Sequence, residues 1–280
     1  MKITLAQVAP CLGDINANVK QADRVIARAV TDGSDLVVFP ELSLSGYSLG
    51  VVSDDVAIEA ADPRLLSLAD QAGPRGLLLG FPESGVGVHV YNSAAFYEGG
   101  GLVHVHRKLY LPTYGPFEER KHFTPGASMR AYPTRHGRIA TLTCNDAWQP
   151  QLAFVAVQDG ARILLMPTNS AQSTFPRRYD SHTYWQDITR FYARMFECYV
   201  VFVNRVGTEN EMAFWGGSHV VDPWGETIAQ LALAADEVRT VEIDLANVRL
   251  RRREVPLVKE ARLAVLQREL QRLIEEGGDL

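Results

Sequence analysis

The sequence predicts a mixed α/β fold of four layers, in which two β-sheets pack face to face and helices cover both outer faces (α-β-β-α). Two observations predict this architecture. Short, continuous apolar runs such as Leu36-Val37-Val38-Phe39 are typical of strands that are buried on both faces by covering layers. Each half of the chain also follows the order strand, helix, strand, helix, and then continues as a run of mostly antiparallel strands.

Composition limits the possible classes of protein. The chain has 280 residues, of which 46% are hydrophobic, and this is enough for one large core. A net charge of -5 disfavours nucleic acid as a partner, and no apolar run reaches the about 18 residues of a membrane span. The first eight residues resemble a strand and not a signal peptide. Three widely spaced cysteines form no disulfide framework, which predicts a reducing, cytoplasmic setting.

The first half of the chain is predicted from apolar periodicity and from turn residues. The predicted strands are residues 2–9, 36–39 and 76–81, and the predicted helices are residues 14–31 and 62–72. A glycine triplet, Gly99-Gly100-Gly101, separates two further strands (88–97 and 102–107), which predicts an antiparallel hairpin.

Two histidines in this hairpin, His104 and His106, lie two residues apart on one strand face. That spacing could serve a metal ion, but the sequence offers no evident third ligand nearby. Ordinary hairpin histidines, and no metal site, are therefore predicted.

The second half repeats the pattern. The predicted strands are residues 139–143, 162–166, 199–203, 214–221 and 239–243, and the predicted helices are residues 148–157 and 180–196. From Leu257 onward the chain is predicted to form an amphipathic helix with apolar residues on one face. That face must cover either the helix's own domain or a partner subunit.

Cys144 lies where a predicted strand turns into a helix. Open α/β folds place their chemistry at such strand ends, and backbone N–H groups at a helix start stabilise a thiolate. Asn145 and Asp146 are residue types that cap helices. The alternative is a small, buried, inert cysteine.

Glu41 and Lys108 also follow predicted strands, so all three side chains could meet at one sheet edge. A buried carboxylate can act as the base for a thiol. A lysine can stabilise the thiolate and then the oxyanion, with the Asn145 backbone N–H as a second donor. The residues therefore indicate a candidate thiol acyl-transfer site. The alternatives are a solvent-facing Glu41 at the edge and a surface Lys108.

Residues 107–123 contain two prolines and a glycine, which exclude a regular helix across them. Long loops rich in aromatic and charged residues usually carry function. Residues 118–121 could instead be a solvated charged patch.

Three blocks of this sequence resemble the catalytic blocks of the nitrilase superfamily, the carbon–nitrogen hydrolases. They are Phe39-Pro40-Glu41-Leu42, Arg107-Lys108-Leu109-Tyr110-Leu111-Pro112 and Cys144-Asn145-Asp146-Ala147-Trp148. Their order and spacing agree with the family, and the resemblance extends from Met1 to the terminal helix. The resemblance implies the four-layer sandwich, with residues 1–250 as one hydrolase domain and residues 251–280 as a helical extension that packs on a partner subunit in a homodimer or a higher homo-oligomer.

The resemblance also implies roles for individual residues. Glu41 is the general base, Lys108 stabilises the tetrahedral intermediate, and Cys144 forms a thioester. A second glutamate, assigned to Glu119 with Glu118 as the near alternative, orients Lys108 and the substrate amine. No cofactor or metal is implied.

The expected substrate is a small-molecule amide. Family members that hydrolyse N-carbamoyl amino acids tend to carry an arginine shortly after the cysteine, where this chain has Ala147, Trp148 and Gln149. Residues 114–117 resemble the glutaminase domains of NAD synthetases, but no synthetase domain follows within 280 residues. N-carbamoyl amino acid hydrolysis, nitrile hydrolysis, a catalytically idle scaffold or binding protein, and a metal-dependent amidase remain alternatives. The candidate pocket residues are Tyr47, Tyr114, Asn145, Trp148, Asn169 and Trp215.

Overall fold

The computed structural model describes residues 1–52, 55–115, 117–172 and 180–277, and it confirms the four-layer α-β-β-α sandwich. Pro116 of the predicted loop and the last three residues of the terminal extension lie outside the described residues. Two six-stranded sheets form the two inner layers.

The first sheet has the strand order β14-β1-β2-β3-β4-β5. Its strands are β1 (Lys2–Gln7), β2 (Leu36–Val38), β3 (Gly76–Ser84), β4 (Val90–Glu98), β5 (Gly101–Arg107) and β14 (Glu237–Glu242). Strands β1, β2 and β3 run parallel, and the flanking pairs are antiparallel. Helices α1 (Ile15–Thr31) and α2 (Pro63–Ala72) cover the outer face.

The second sheet has the order β13-β12-β9-β8-β7-β6. Its strands are β6 (Ala131–Thr134), β7 (Gly137–Thr141), β8 (Ile163–Thr168), β9 (Tyr199–Asn204), β12 (His219–Val221) and β13 (Thr227–Gln230). Helices α3 (Pro150–Gln158) and α4 (Ser181–Phe196) cover its outer face, because their buried residues share one apolar cluster with the sheet.

The remaining elements are a small hairpin, two helices and three short 3-10 turns. The hairpin is β10 (Val206–Glu209) with β11 (Met212–Trp215), and the helices are α5 (Ala246–Glu254) and α6 (Leu263–Glu275). The 3-10 turns are Leu49–Val51, Glu119–Lys121 and Cys144–Trp148.

Strand β2 shows why the apolar runs are continuous. Leu36 and Val38 lie in the cluster between the two sheets, which also contains Leu165 and Val201 of the second sheet. Val37 points the other way and joins the cluster under α1 and α2. A strand with a covering layer on both sides needs apolar residues at every position.

Two predicted elements differ in the structure. Residues 214–221 do not form one strand, because Gly216 and Gly217 adopt positive φ angles of 71° and 60° and separate β11 from β12. The terminal helix begins at Leu263 and not at Leu257. The short edge elements β6, β10 and β13 and the helix α5 were not predicted, since they carry too few apolar residues for a periodic signal.

Among the residues that the structure describes, no helix has the length and apolar character needed to cross a membrane.

The turn that carries Glu41 packs directly on strand β3 at Gly80. The carbonyl of Gly80 accepts the Leu44 N–H at 3.0 Å. A Cβ atom on Gly80 would lie 2.5 Å from the Leu42 nitrogen and 2.6 Å from the Pro40 oxygen. Both atoms belong to backbone, so they cannot move aside as a side-chain end would. Glycine at this position is therefore what lets the turn approach the sheet.

We expect Gly80→Ala to lower the free energy of unfolding by about 2 kcal/mol, because overpacking against backbone is costly. Urea unfolding of the purified proteins measures the change. The matched control is Gly101→Ala, where the nearest atom to an added Cβ is the Glu98 oxygen at 3.9 Å. Equal stability losses in the two variants would contradict this account of Gly80.

Candidate active site

Cys144 lies just beyond β7, in a backbone conformation that few residues other than glycine adopt. Its φ is +46°, in the left-handed region. The predicted elbow is therefore present, but its form differs from the prediction. Asn145 and Asp146 do not cap a helix: residues Cys144–Trp148 form a 3-10 turn, and α3 begins at Pro150.

Glu41 follows β2 and is 1% exposed. Its Oε1 accepts hydrogen bonds from the Lys108 Nζ and the Asn92 Nδ2, both at 2.7 Å. Its Oε2 accepts the Asn169 backbone N–H at 2.9 Å. The negative charge of Glu41 raises the pKa of the Cys144 thiol, and the Asn169 N–H lowers it. The carboxylate and the thiol are therefore neighbours.

Lys108 follows β5 and is completely buried. Its Nζ lies between two carboxylates, 2.7 Å from Glu41 Oε1 and 2.7 Å from Glu119 Oε1. Burial alone would lower the pKa of this ammonium group, but the charges of Glu119 and Glu41 raise the pKa well above its usual value. Lys108 therefore stays protonated.

Glu119 lies in the 3-10 turn Glu119–Lys121 and is 3% exposed. Tyr47 donates its hydroxyl to Glu119 Oε1 at 2.8 Å. Burial raises the pKa of Glu119 to about 7, with Lys108 opposing and Glu41 adding to the rise. The adjacent Glu118 is exposed and pairs with Lys121 at the surface. Of the two glutamates, the structure thus places Glu119 against Lys108.

Burial raises the pKa of the Cys144 thiol well above its usual range, and the negative charge of Glu41 raises it further, while Lys108 lowers it. The expectation that a helix start favours the thiolate is therefore wrong for the resting site. The sulfur rests as a thiol, and it needs the adjacent carboxylate as a base before it can act as a nucleophile.

The predicted pocket residues fall into three groups. Tyr47 and Asn169 contact the charged cluster directly, through Glu119 and Glu41 respectively. The side-chain amide of Asn169 is buried, and neither its nitrogen nor its oxygen has a partner among the described residues.

Tyr114, Asn145 and Trp148 lie on the outer side. Tyr114 is 55% exposed, and its hydroxyl donates to Asn145 Oδ1 at 3.3 Å. Trp148 is half-buried and stacks on Tyr184 with ring centroids 5.8 Å apart. Trp215 is 4% exposed, donates its indole N–H to Ser170 and stacks on a core phenylalanine, so it belongs to the core.

Sequence reasoning missed several residues that hold this cluster together. Asn92 donates to Glu41, and Glu209 accepts the backbone N–H groups of Tyr47 and Ser48 at 2.9 Å while pairing with buried Arg205. The only sequence signal was the polar type of each residue within an apolar strand or beside it. Their partners are far away along the chain, so the sequence pattern could not predict these contacts.

Across the described ranges, no group of three or more histidine, cysteine, aspartate and glutamate side chains is arranged to hold a metal ion. The two hairpin histidines differ from each other. His104 stacks on Tyr132 at 4.5 Å, whereas buried His106 hydrogen-bonds Asp146 at 2.7 Å. The sequence did not reveal the contact between His106 and Asp146.

An α-β-β-α sandwich with a thiol, an ammonium group and two carboxylates clustered beyond its strands is the architecture of the nitrilase class of proteins. The chain belongs to the carbon–nitrogen hydrolase family, whose model matches residues 2–253. It is therefore a hydrolase that acts on carbon–nitrogen bonds.

Relatives match most of the length of this chain. The chain is 32% identical to an (R)-stereoselective amidase from a Pseudomonas species, over 94% of this chain and 92% of the amidase. It is also 32% identical to a glutamine-dependent NAD(+) synthetase from Thermotoga maritima, over 88% of this chain but only 42% of that protein. A carbon–nitrogen hydrolase from Helicobacter pylori G27 has a similar structure, with a TM-score of 0.86, 25% identity and coverage of 94% and 96%.

The raised pKa of Glu119 makes stability depend on pH. The folded-state value of about 7 exceeds the ordinary value of 4.5, so between these pH values the folded protein holds a proton that the unfolded chain has lost. The stability from this proton is complete below about pH 4.5 and is lost as the pH rises through 7.

We therefore expect the free energy of unfolding of the wild type, relative to Glu119→Gln, to fall by about 1–3 kcal/mol between pH 5 and pH 8. Urea unfolding at several pH values measures it. Glu118→Gln is the matched control and should keep the wild-type pH dependence, because Glu118 is exposed. If the free energies of unfolding of the wild type and of Glu119→Gln change equally with pH, the result contradicts the protonation assigned to Glu119.

Proposed function

We propose that this protein is a thiol amidohydrolase. It cleaves a small amide through an acyl-enzyme on Cys144 and releases ammonia or an amine. The observation that supports this most directly is the buried contact network in which Glu41 accepts hydrogen bonds from Lys108 and from the Asn169 N–H, beside the Cys144 thiol whose pKa these groups shift. The amidase named among its relatives supports the same reaction class.

In the first half of the proposed reaction, Glu41 takes the proton of the Cys144 thiol as the sulfur attacks the amide carbonyl carbon. The C=O π electrons move to oxygen, and the resulting oxyanion is stabilised by the Lys108 ammonium and the Asn145 backbone N–H. Glu41 then donates its proton to the amide nitrogen. The C–N bond breaks, ammonia or an amine leaves, and a thioester remains.

In the second half, Glu41 takes a proton from water, and the oxygen attacks the thioester carbonyl. The C–S bond then breaks, the proton returns to the sulfur and a carboxylic acid leaves. Glu119 orients Lys108 through its 2.7 Å bond and is held in turn by Tyr47. The unpartnered Asn169 amide is a candidate for hydrogen bonding to the substrate.

An amide is favoured over an N-carbamoyl amino acid by the residues after Cys144. Ala147 is fully buried and its carbonyl accepts the Tyr192 hydroxyl at 2.6 Å, so this position faces the core. Trp148 stacks on an aromatic ring and carries no positive charge. Neither residue provides a cation for a substrate carboxylate.

We expect Cys144→Ala to reduce ammonia release by at least about 1000-fold, because the variant lacks the nucleophile. A panel of simple amides, N-carbamoyl amino acids and nitriles, assayed for ammonia, measures this loss and identifies the preferred class of substrate. The melting temperature should change little, since Cys144 is only half-buried. Cys11→Ala removes an exposed cysteine and is the matched control with full activity.

Absence of turnover across the panel would contradict the proposed reaction. Loss of activity after chelation would favour a metal-dependent amidase instead.

We further propose that residues 1–250 form the hydrolase domain and that residues 251–280 extend it toward a second copy of the chain in a homodimer. The match of the family model to residues 2–253 supports this division. Helix α6 has no buried residue, and five of its large apolar side chains are 40–65% exposed. They are Leu263, Leu266, Leu270, Leu273 and Ile274.

We expect the double substitution Leu266→Glu and Leu270→Glu to convert a dimer into a monomer in sedimentation experiments, because charges in an apolar interface lose their hydration. Arg268→Glu, which reverses a charge on the opposite side of the same helix, is the control and should leave the dimer intact. A wild-type protein that sediments as a monomer at micromolar concentration would contradict the proposal.

A further inference from the structure

Asp146, two residues after Cys144, connects the cysteine turn to the lysine segment. The Asp146 side chain is completely buried and accepts three hydrogen bonds. His106 Nε2 donates to Oδ2 at 2.7 Å, and the backbone N–H groups of Leu109 and Tyr110 donate to Oδ1 at 3.0 and 2.9 Å. The three donors flank Lys108 on both sides. One carboxylate therefore fixes both ends of the short stretch that carries the ammonium group.

The His106 ring makes no other hydrogen bond among the described residues. It is 2% exposed on β5, and its Nδ1 is buried without a partner. The network therefore assigns the ring proton to Nε2, which faces Asp146. A leucine would fill the same space as this buried ring but could not donate a hydrogen bond. We therefore infer that the role of the His106 ring is its contact with Asp146.

The other side of the lysine segment is held by backbone contacts. The Lys108 N–H donates to the Asn92 carbonyl at 2.9 Å, and the Lys108 carbonyl accepts the Gly126 N–H at 2.8 Å. The first contact joins Lys108 to β4 of the first sheet, and the second joins it to the segment that precedes β6. The bonds of Asp146 are of another kind, because they join Lys108 to the turn that carries Cys144, which follows the second sheet.

We propose that His106 and Asp146 are a positioning pair, which locks the Cys144 turn onto the Lys108 segment so that the ammonium group faces the sulfur. This inference rests on the proposed amide hydrolysis, for which that alignment matters. Neither residue touches the reacting atoms. A hydrogen bond to a buried carboxylate is among the stronger contacts available to a protein, and a misplacement of about 1 Å can cost about 100-fold in rate.

The test compares His106→Leu with His106→Gln. Leucine fills the space but cannot donate to Asp146, whereas the glutamine amide nitrogen can reach the position of Nε2 and donate. His104→Leu is the matched control, because it makes the same change two residues earlier on β5, where the ring stacks on Tyr132 and does not contact the cysteine turn.

Four quantities are measured for each variant. They are kcat and KM on the best amide, the rate of Cys144 alkylation by iodoacetamide, and the melting temperature. The alkylation rate is followed by mass spectrometry from pH 6 to pH 10. We expect His106→Leu to lower kcat by about 10- to 100-fold with little change in KM. Its alkylation profile should shift to higher pH, because Lys108 no longer faces the thiolate. His106→Gln should stay within about threefold of the wild type, and His104→Leu should match the wild type.

A folded His106→Leu variant with wild-type kcat and an unshifted alkylation profile would overturn the proposal. So would a glutamine variant as impaired as the leucine variant, or an equal loss in His104→Leu. Should His106→Leu not fold, Asp146→Asn replaces it: the amide oxygen keeps the contacts to Leu109 and Tyr110, while the charge facing His106 is lost. A lower kcat and a shifted alkylation profile support the pair, and wild-type values refute it.

Alkylation of Cys144 needs no substrate, so the two proposals can fail separately. If the wild type hydrolyses no amide but His106→Leu still shifts the alkylation profile and His106→Gln restores it, the positioning pair stands and the proposed reaction fails. If the wild type hydrolyses amides and the alkylation profile of His106→Leu equals that of the wild type, the positioning proposal fails and the proposed reaction stands.

Discussion

The buried ammonium group of Lys108 is the interaction on which the rest of this structure depends. It lies 2.7 Å from a carboxylate oxygen of Glu41 and 2.7 Å from one of Glu119, and none of the three side chains is more than 3% exposed. A lone charge in such a place would be too costly to bury. One positive charge between two carboxylates leaves an excess of negative charge, and burial raises the pKa of the Glu119 carboxyl group to about 7.

This charge cluster requires strands from both sheets to end at one place. Glu41 and Lys108 follow strands of the first sheet, and Cys144 and Asn169 follow β7 and β8 of the second. The apolar layer between the sheets fixes their separation, since close-packed side chains leave little freedom. Backbone details then complete the approach: Gly80 admits the Glu41 turn, and the left-handed conformation of Cys144 turns the chain at the sulfur.

The fold was largely predictable because its signals are local. A continuous apolar run identified β2 as a doubly covered strand, and helical periodicity identified α1. Predictions were wrong where long-range contacts overrode local preference. Asp146 has the character of a helix cap, but its carboxylate is satisfied by donors 36 to 40 positions away, so it anchors the lysine segment instead. The contact of His106 with Asp146 could not be predicted for the same reason, because the two residues are 40 positions apart.

The sequence by itself determined the two covered sheets, the family and the strand ends at which Glu41, Lys108 and Cys144 stand, because burial periodicity and residue type are written along the chain. Only the tertiary structure decided which groups meet. It placed Glu119 and not Glu118 on Lys108, put Trp215 in the core, and raised the pKa of the Cys144 thiol. These outcomes depend on burial and on charges brought together from distant segments, such as the 67 positions between Glu41 and Lys108.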